Sequence, residues 1–486
     1  MRRRLAFLKI ATFVTVAAAP MIGLVFGGAV SPYGQRLHAR FPDALRVIEG
    51  KRGAFDQVGK ALLDRSPVTE AAIRLKGLIG YGGFDYIDTE RIVSGRDGWL
   101  FYKEEFSGGR CLQPQEVSSA LNQVGAMIET AGAVGLDLIV GISPDKGSIY
   151  PEHLNPLARR YWACKNENNL LWRRLLAKES GRLLDHAVPL LHEKIKEPHV
   201  QLYFKTDTHW TPFGAALALR QLIGAVSERR SLVLPPPLPT GRTLARPTDM
   251  ANDMLLLPGA EDYDEIDSTI ENRLSQSADI PQRQTVVLHD SFYYVLRPSL
   301  SANLPGTRFF HLEQDMMEYQ SLLAKAERIV VNSVERGFLS RVDSGTLSWS
   351  GPLGQAILDR SAKSAGGCKD LHAIDPVGPN GGALIPVAIG DAAMRPCLRV
   401  DIEASQPANL VIRLPLASQS IVDFPLGGAL RKSIAAGRQT VMLALPDSVR
   451  GRKIWVGPAR DSPSGFVLHA TMIGHTPPRA EDKIGD

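Results

Sequence analysis

Between Pro114 and Val331 the chain alternates apolar runs of strand length with longer stretches of helical periodicity. The strand-like runs are Leu136–Ile142, Arg182–Asp185, Val200–Phe204, Thr285–Leu288 and Arg328–Val331. Helical stretches cover Pro114–Gly135, Asn168–Glu179 and Ala215–Val226. Alternation of this kind predicts an α/β domain, a mainly parallel sheet with helices on both faces. In such sheets, ligands bind beyond the carboxyl ends of the strands. Three of the runs are followed there by polar clusters: Ser143–Tyr150, Asp207-Thr-His-Trp-Thr-Pro212 and His289-Asp-Ser291.

Two of those clusters carry complementary chemistry. Asp207 and His209 stand two residues apart, so the carboxylate can hold the imidazole's tautomer and orientation, as a general base requires. Such a base lacks only a nucleophile, and Ser291 supplies a hydroxyl after the next apolar run. Spacing alone leaves a second reading open, because a serine after a strand also serves as a helix N-cap. The chain holds eleven histidines, most of them expected on the surface or in structural roles. No Cys-x-x-Cys or Cys/His cluster has zinc spacing, and nothing calls for a cofactor.

The formal charge is +5, of which Arg2, Arg3, Arg4 and Lys9 supply four, while residues 1–30 contain no acid. The rest is therefore close to neutral and offers no electrostatic footprint for nucleic acid. Ile10–Val30 is an uncharged stretch of 21 residues, long enough to span a bilayer as a helix. Positive charge before it and none soon after predicts an N-terminus inside and the remainder exported. The length favours an uncleaved anchor over a cleaved signal, although Ala17-Ala-Ala-Pro20 and Gly27-Gly-Ala-Val30 resemble small-residue cleavage regions. Four cysteines suit an oxidising compartment. Pairing within each half, Cys111–Cys164 and Cys368–Cys397, is the simplest of three connectivities, with four free thiols as the alternative.

Residues 31–87 are expected to form a stalk, and residues 88–341 the α/β domain. Within the latter, Arg91–Tyr102 has the pattern of a β-hairpin turning at Gly95-Arg-Asp-Gly98. Leu232–Gln284 is a long insertion expected to act as a lid or groove wall. After about residue 342 helical periodicity gives way to short β-like runs: Leu398–Glu403, Leu410–Leu414, Thr440–Leu445, Ile454–Val456 and Phe466–Met472. These predict a β-sandwich over 342–486, with a carbohydrate-binding role or a structural one.

Taken in order, several motifs resemble the alginate O-acetyltransferase family, periplasmic proteins with an SGNH-hydrolase-like domain that O-acetylate exopolysaccharide. They are Gly95-Arg-Asp-Gly-Trp-Leu-Phe101, Pro144-Asp-Lys146 to Tyr150-Pro151, Asp207 to Pro212, Asp249 to Pro258, Asp290-Ser291 and Val334-Glu-Arg336. The likeness spans roughly residues 88–340. It implies that Asp207, His209 and Ser291 form a triad whose acid and base precede the serine in the chain. It also implies a polysaccharide acceptor, an acetyl donor delivered by a membrane-bound O-acyltransferase, and a periplasmic location at the inner membrane. Lys146, Tyr150, Tyr293, Tyr294 and Arg297 are candidates to line the groove. His289-Asp290 departs from the small residues often found before the serine. Two other outcomes stay open: an acetyl esterase of the same fold, and a polysaccharide-binding assembly protein with a vestigial triad.

Overall fold

The computed structural model describes residues 41–48, 50, 53–66, 92–106, 113–167 apart from 157, 161 and 164, 181–227, 283–374 apart from 314, 315 and 367, 382–388, 394–414, 429–459 and 466–476. The apolar run 10–30, the expected helix 168–179, the motif 249–258, nearly all of the insertion 232–284, and Cys111 and Cys164 lie outside the described residues. Among the described residues no helix is long and apolar enough to cross a membrane.

The expected hairpin is present, β1 (Ile92–Ser94) pairing antiparallel with β2 (Leu100–Tyr102). Its turn contains Asp97 in the left-handed region, at φ 56°. Behind it, β3 (Asp137–Ser143), β4 (Leu183–Asp185), β5 (Thr285–His289), β6 (Arg308–His311) and β7 (Arg328–Val334) build a five-stranded sheet. Its order is β4-β3-β7-β5-β6, and every neighbouring pair is parallel.

Side-chain alternation explains why these runs are apolar throughout. Leu138, Val140, Ile142, Val286, Leu288, Ile329 and Val331 enter one core with helices Pro114–Ala133, Met316–Leu323, Glu335–Asp343 and Pro352–Ala365. Ile139, Val287 and Val330 enter the other, with helix Pro212–Val226 and the hairpin's Trp99 and Phe101. Period two sends successive residues to opposite faces, so a strand covered on both faces is apolar at nearly every position. The result is the expected three-layer α/β/α domain.

Val200–Phe204 is not a strand of this sheet. It makes a single antiparallel bridge, Tyr203 to Trp210, closed by Phe204 N to His209 O at 3.2 Å and Thr211 N to Leu202 O at 2.9 Å. Its other polar groups are taken by partners outside any ladder. Leu202 N donates to Tyr150 Oη at 2.9 Å, and Phe204 O accepts from Lys146 Nζ at 3.0 Å. Just beyond, Lys205 O accepts from Leu100 N at 2.8 Å. The segment is thus a loop folded back on itself, with Asp207 and His209 at its tip. Helix Pro212–Val226 leaves the loop with Pro212 in its first turn and Thr211 Oγ1 accepting from Gly214 N at 3.3 Å. A Cβ on Gly214 would come within 2.4 Å of Leu202 O, so only glycine lets the helix start this close to the loop.

Helical structure also continues past residue 342, contrary to the reading of the sequence there. Pro352–Ala365 is a helix with Leu353, Ala356, Ile357 and Ala365 on its buried side, an apolar stripe diluted by Gly, Ser and Lys. Beyond it lie two four-stranded antiparallel sheets. One has the order β13 (Gly437–Ala444), β10 (Arg395–Ala404), β15 (Phe466–Thr476), β8 (Lys369–Ile374). The other runs β12 (Ala429–Ile434), β11 (Ala408–Arg413), β14 (Lys453–Pro458), β9 (Ala383–Pro386). All five β-like runs noted after 342 coincide with strands of this sandwich, two of them running one residue past the strand end. The sandwich shares a core with helix Pro352–Ala365. Ser361 Oγ donates to Ala444 O at 2.9 Å across the junction. The Cys368–Cys397 disulfide ties the approach to β8 onto β10.

Candidate active site

The loop tip and the end of β5 meet at the carboxyl edge of the sheet. Asp207 Oδ1 accepts from His209 Nδ1 at 2.6 Å and from His209 N at 2.8 Å. Held in this way, the imidazole turns Nε2 toward Ser291 Oγ, 2.8 Å away. Asp207 and His209 are buried while Ser291 is partly exposed. The chain therefore brings together the three residues its sequence singled out, 82 positions apart at the longest link.

Ser291 opens a 3₁₀ turn, Ser291–Leu296, whose N-cap is Asp290. Asp290 points into the protein and accepts four hydrogen bonds. Oδ1 takes Phe292 N at 3.1 Å and Asn332 Nδ2 at 3.2 Å. Oδ2 takes Val334 N at 2.5 Å and an Arg341 guanidinium nitrogen at 3.3 Å. Asn332 Oδ1 in turn accepts from Ser143 Oγ at 3.0 Å. The carboxyl ends of β3, β5 and β7 are thus tied together immediately beneath the serine. Trp210 Nε1 donates to Phe292 O at 3.1 Å, which joins the acid–base loop to the serine's turn.

Of the five groove candidates, three are buried and serve the scaffold. Lys146 Nζ donates to the carbonyls of Phe204, Lys205 and Asp207. Tyr150 holds Leu202 through its hydroxyl, and burial pushes its phenol up to about 12. Tyr293 Oη meets His186 Nε2 at 2.7 Å, and His186 Nδ1 meets Gln221 Oε1 at 2.7 Å. Burial pushes His186 down to about 4 and raises the Tyr293 phenol, so both are neutral at physiological pH. A Cβ on Gly141 would lie 2.7 Å from His186 Nε2, so a glycine in β3 makes room for this pair. Tyr294 and Arg297 are partly exposed. With Ser291 they occupy every third position of the 3₁₀ turn and the residue that follows it, which in 3₁₀ geometry puts side chains in one row.

His289, the departure from small residues, is also structural. Nδ1 meets Asp290 O at 2.5 Å, and Nε2 accepts from Arg297 Nε at 2.9 Å. Burial, joined by the Arg297 charge, brings this imidazole down to about 4. Asn332 and Arg341 were not singled out in the sequence, although Asn332 interrupts an apolar strand near its carboxyl end. Among the described residues no group of three or more His, Cys, Asp or Glu could hold a metal ion.

Residues 92–279 match the family described as SGNH hydrolase-like domain, acetyltransferase AlgX. The matched stretch includes Asp207 and His209 and ends before Ser291. The chain is 29% identical over 144 residues to the probable alginate O-acetylase AlgJ of Pseudomonas aeruginosa, covering 30% of this chain and 35% of that protein. It is 31% identical over 144 residues to the protein of the same name from Pseudomonas fluorescens, covering 29% and 34%. The chain thus spans about a third of the length of the curated relatives it matches. A solved O-acetyltransferase domain of Pseudomonas putida AlgJ is 21% identical, with a TM-score of 0.32, covering 55% of this chain and 98% of that domain. The resemblance to the alginate O-acetyltransferase family is borne out over this region.

Proposed function

We propose, from the premise that residues 92–279 carry a domain of the AlgX acetyltransferase type, that this protein is an O-acetyltransferase. Its acceptor is a hydroxyl of an exported polysaccharide of the alginate kind. The observation that carries the reading is the hydrogen-bonded series Asp207–His209–Ser291 at the carboxyl edge of a parallel sheet. Its order, acid then base then hydroxyl, is what activation of a serine requires.

In the first half-reaction Ser291 Oγ attacks the acetyl carbonyl carbon as His209 Nε2 takes the hydroxyl proton. Asp207, already bonded to Nδ1, stabilises the imidazolium that forms. Collapse of the tetrahedral adduct breaks the bond to the donor's leaving group, which receives the proton from His209. In the second half a glycan hydroxyl attacks the acetyl-serine and gives its proton to His209. The ester to Ser291 breaks, and Oγ regains a proton. N–H donors at the start of the serine's turn favour the oxyanion. The Phe292 N–H is held by Asp290, which leaves the Ser291 N–H as the donor best placed to act.

The same reading puts the domain on the periplasmic side of the inner membrane, held by the apolar run 10–30 that follows Arg2–Arg4. A membrane-bound O-acyltransferase would supply the acetyl group there. The test is mass spectrometry of acceptor oligosaccharides incubated with an acetyl donor. Wild type should add the mass of an acetyl group. Ser291→Ala and His209→Ala should lower transfer roughly 10⁴-fold or more, and Asp207→Asn about 10⁴-fold. Release of acetate with no acetylated oligosaccharide would make the protein an esterase, and an active, folded Ser291→Ala would remove the nucleophile.

A further inference from the structure

Lys146 is fully buried, and its side chain runs from the carboxyl end of β3 into the loop that carries the acid and base. Nζ donates to Phe204 O at 3.0 Å, Lys205 O at 3.0 Å and Asp207 O at 2.7 Å. Three carbonyl acceptors need three N–H donors, which only the ammonium form has. The rings of Trp99 and Phe101 lie 5.7 and 5.5 Å from Nζ, within the range at which an aromatic face attracts a cation.

The backbone on either side of Lys146 is itself clamped. Asp145 bonds Lys165 at 2.6 Å and Arg336 at 2.5 Å through its carboxylate, and its N–H donates to Glu335 at 3.0 Å. Gly147 N donates to Glu105 at 2.9 Å, and Ser148 Oγ to Glu335 at 2.8 Å. Lysine is ordinarily a flexible side chain, but this one leaves a fixed base and ends on three fixed acceptors. The loop it gathers makes only a single bridge of its own. Tyr150 holds the loop at Leu202, the hairpin's Leu100 holds it at Lys205, and Trp210 ties it to Phe292. Lys146 gathers three carbonyls between Phe204 and Asp207, next to the acid and base.

We infer that Lys146 is a positioning residue for catalysis, whose ammonium fixes the Asp207–His209 loop so that Nε2 stays within reach of Ser291. The inference rests on the reading of Ser291 as nucleophile. Removing the ammonium lets three carbonyls turn toward water and the imidazole drift. A displacement on the order of 1 Å at a reacting group costs about 10²-fold in rate.

The experiment compares wild type with Lys146→Met, similar in length but uncharged, and Lys146→Gln, which keeps two N–H donors. Active sites are counted by stoichiometric labelling of Ser291 with a sulfonyl fluoride, and turnover is expressed per labelled site. This separates a slower site from a smaller folded fraction. Lys146→Met should lower kcat per site about 10²-fold with KM nearly unchanged, and Lys146→Gln should fall between it and wild type. The downfield proton resonance of the His209 Nδ1–H···Asp207 bond should shift or vanish in Lys146→Met. Wild-type kcat per site together with an unmoved resonance would overturn the inference. If neither variant folds, wild type enriched in ζ-¹⁵N lysine carries the test. Its exchange-protected ammonium signal should move when Ser291 is sulfonylated, and a signal that stays put overturns the inference. An active Ser291→Ala enzyme would instead sink the underlying reading of the nucleophile.

Discussion

Asp290→Asn tests how the serine's turn is held. The substitution keeps the shape of the side chain and one acceptor oxygen, so Phe292 N and Asn332 Nδ2 retain their partner. The other oxygen becomes an NH₂ facing Val334 N and Arg341, both donors. Arg341 keeps its bonds to Ser333 Oγ at 2.7 Å and Glu313 at 2.8 Å, so its charge is not left bare. Each buried donor left unpaired costs about 1–3 kcal/mol, and breaking a buried ion pair costs about 3–5 kcal/mol. With Asp290 and Arg341 side chains only 6% and 10% exposed, solvent screens little of this. A loss of about 4 kcal/mol is expected, against a typical total of roughly 5–15 kcal/mol. The variant should therefore fold at 25 °C with a clearly lowered urea midpoint. Arg341→Met should cost less on top of Asp290→Asn than alone, because the bond they share is already gone and only those to Ser333 and Glu313 remain to be lost. A loss under about 1 kcal/mol, or fully additive effects, would refute the account of Asp290 as the pin beneath Ser291.

Stability should also depend on pH through His186. Its folded-state value near 4 lies below the ordinary 6.5, so between those values the unfolded chain binds the proton and the folded one does not. Stability from this group is therefore complete above about pH 6.5 and lost as pH falls toward 4, by up to about 3 kcal/mol. Glu105, pushed up to about 7 by burial and the Asp145 charge, acts in the opposite direction, so the group's own share is the difference between wild type and His186→Leu. Urea midpoints at pH 5 and 7.5 should converge for the two proteins at the lower pH, and parallel curves would contradict this. Truncation after residue 367 should not yield a soluble domain, because it strips the sandwich from helix Pro352–Ala365 and exposes Leu353 and Ile357. A monodisperse, cooperatively unfolding fragment would show the shared core to be dispensable.

The parallel sheet was legible because strands buried on both faces must be apolar without interruption, as Val286–Leu288 and Ile329–Val331 are. Asp207, His209 and Ser291 drew attention because each follows an apolar run, although only the run before Ser291 is a strand of the sheet. Val200–Phe204 misled because apolar periodicity reports burial rather than hydrogen-bond partners. Those residues are largely buried, but their backbone is satisfied by Tyr150, Lys146 and the returning chain at His209 and Thr211. Lys146 looked like a groove residue since lysine is usually exposed, and only the fold reveals three carbonyls converging on it. Arg308–His311 and Ala383–Pro386 escaped notice for want of length. Edge strands of four residues carry too few alternations to register.

The supports of the site share an origin in sheet geometry. Neighbouring strands lie about 4.8 Å apart, so the ends of β3, β7 and β5 present their last residues within reach of one another. Ser143, Asn332 and Asp290 use that proximity to bind one another directly, and Lys146 extends it to a loop that belongs to no strand. The carboxyl edge is where polar side chains can be buried together without breaking a ladder, since the ladder has already ended. A hydroxyl can therefore be aimed there by other polar groups that bond one another. What stays partly exposed around the serine includes the row of Ser291, Tyr294 and Arg297, with Ser291 at one end. Asp207 and His209 approach from the buried side, so an acceptor must come from the opposite one. Water and a sugar hydroxyl would meet the same acid and base, so on the proposed transferase reading preference for a glycan has to come from contacts along the row or beyond it.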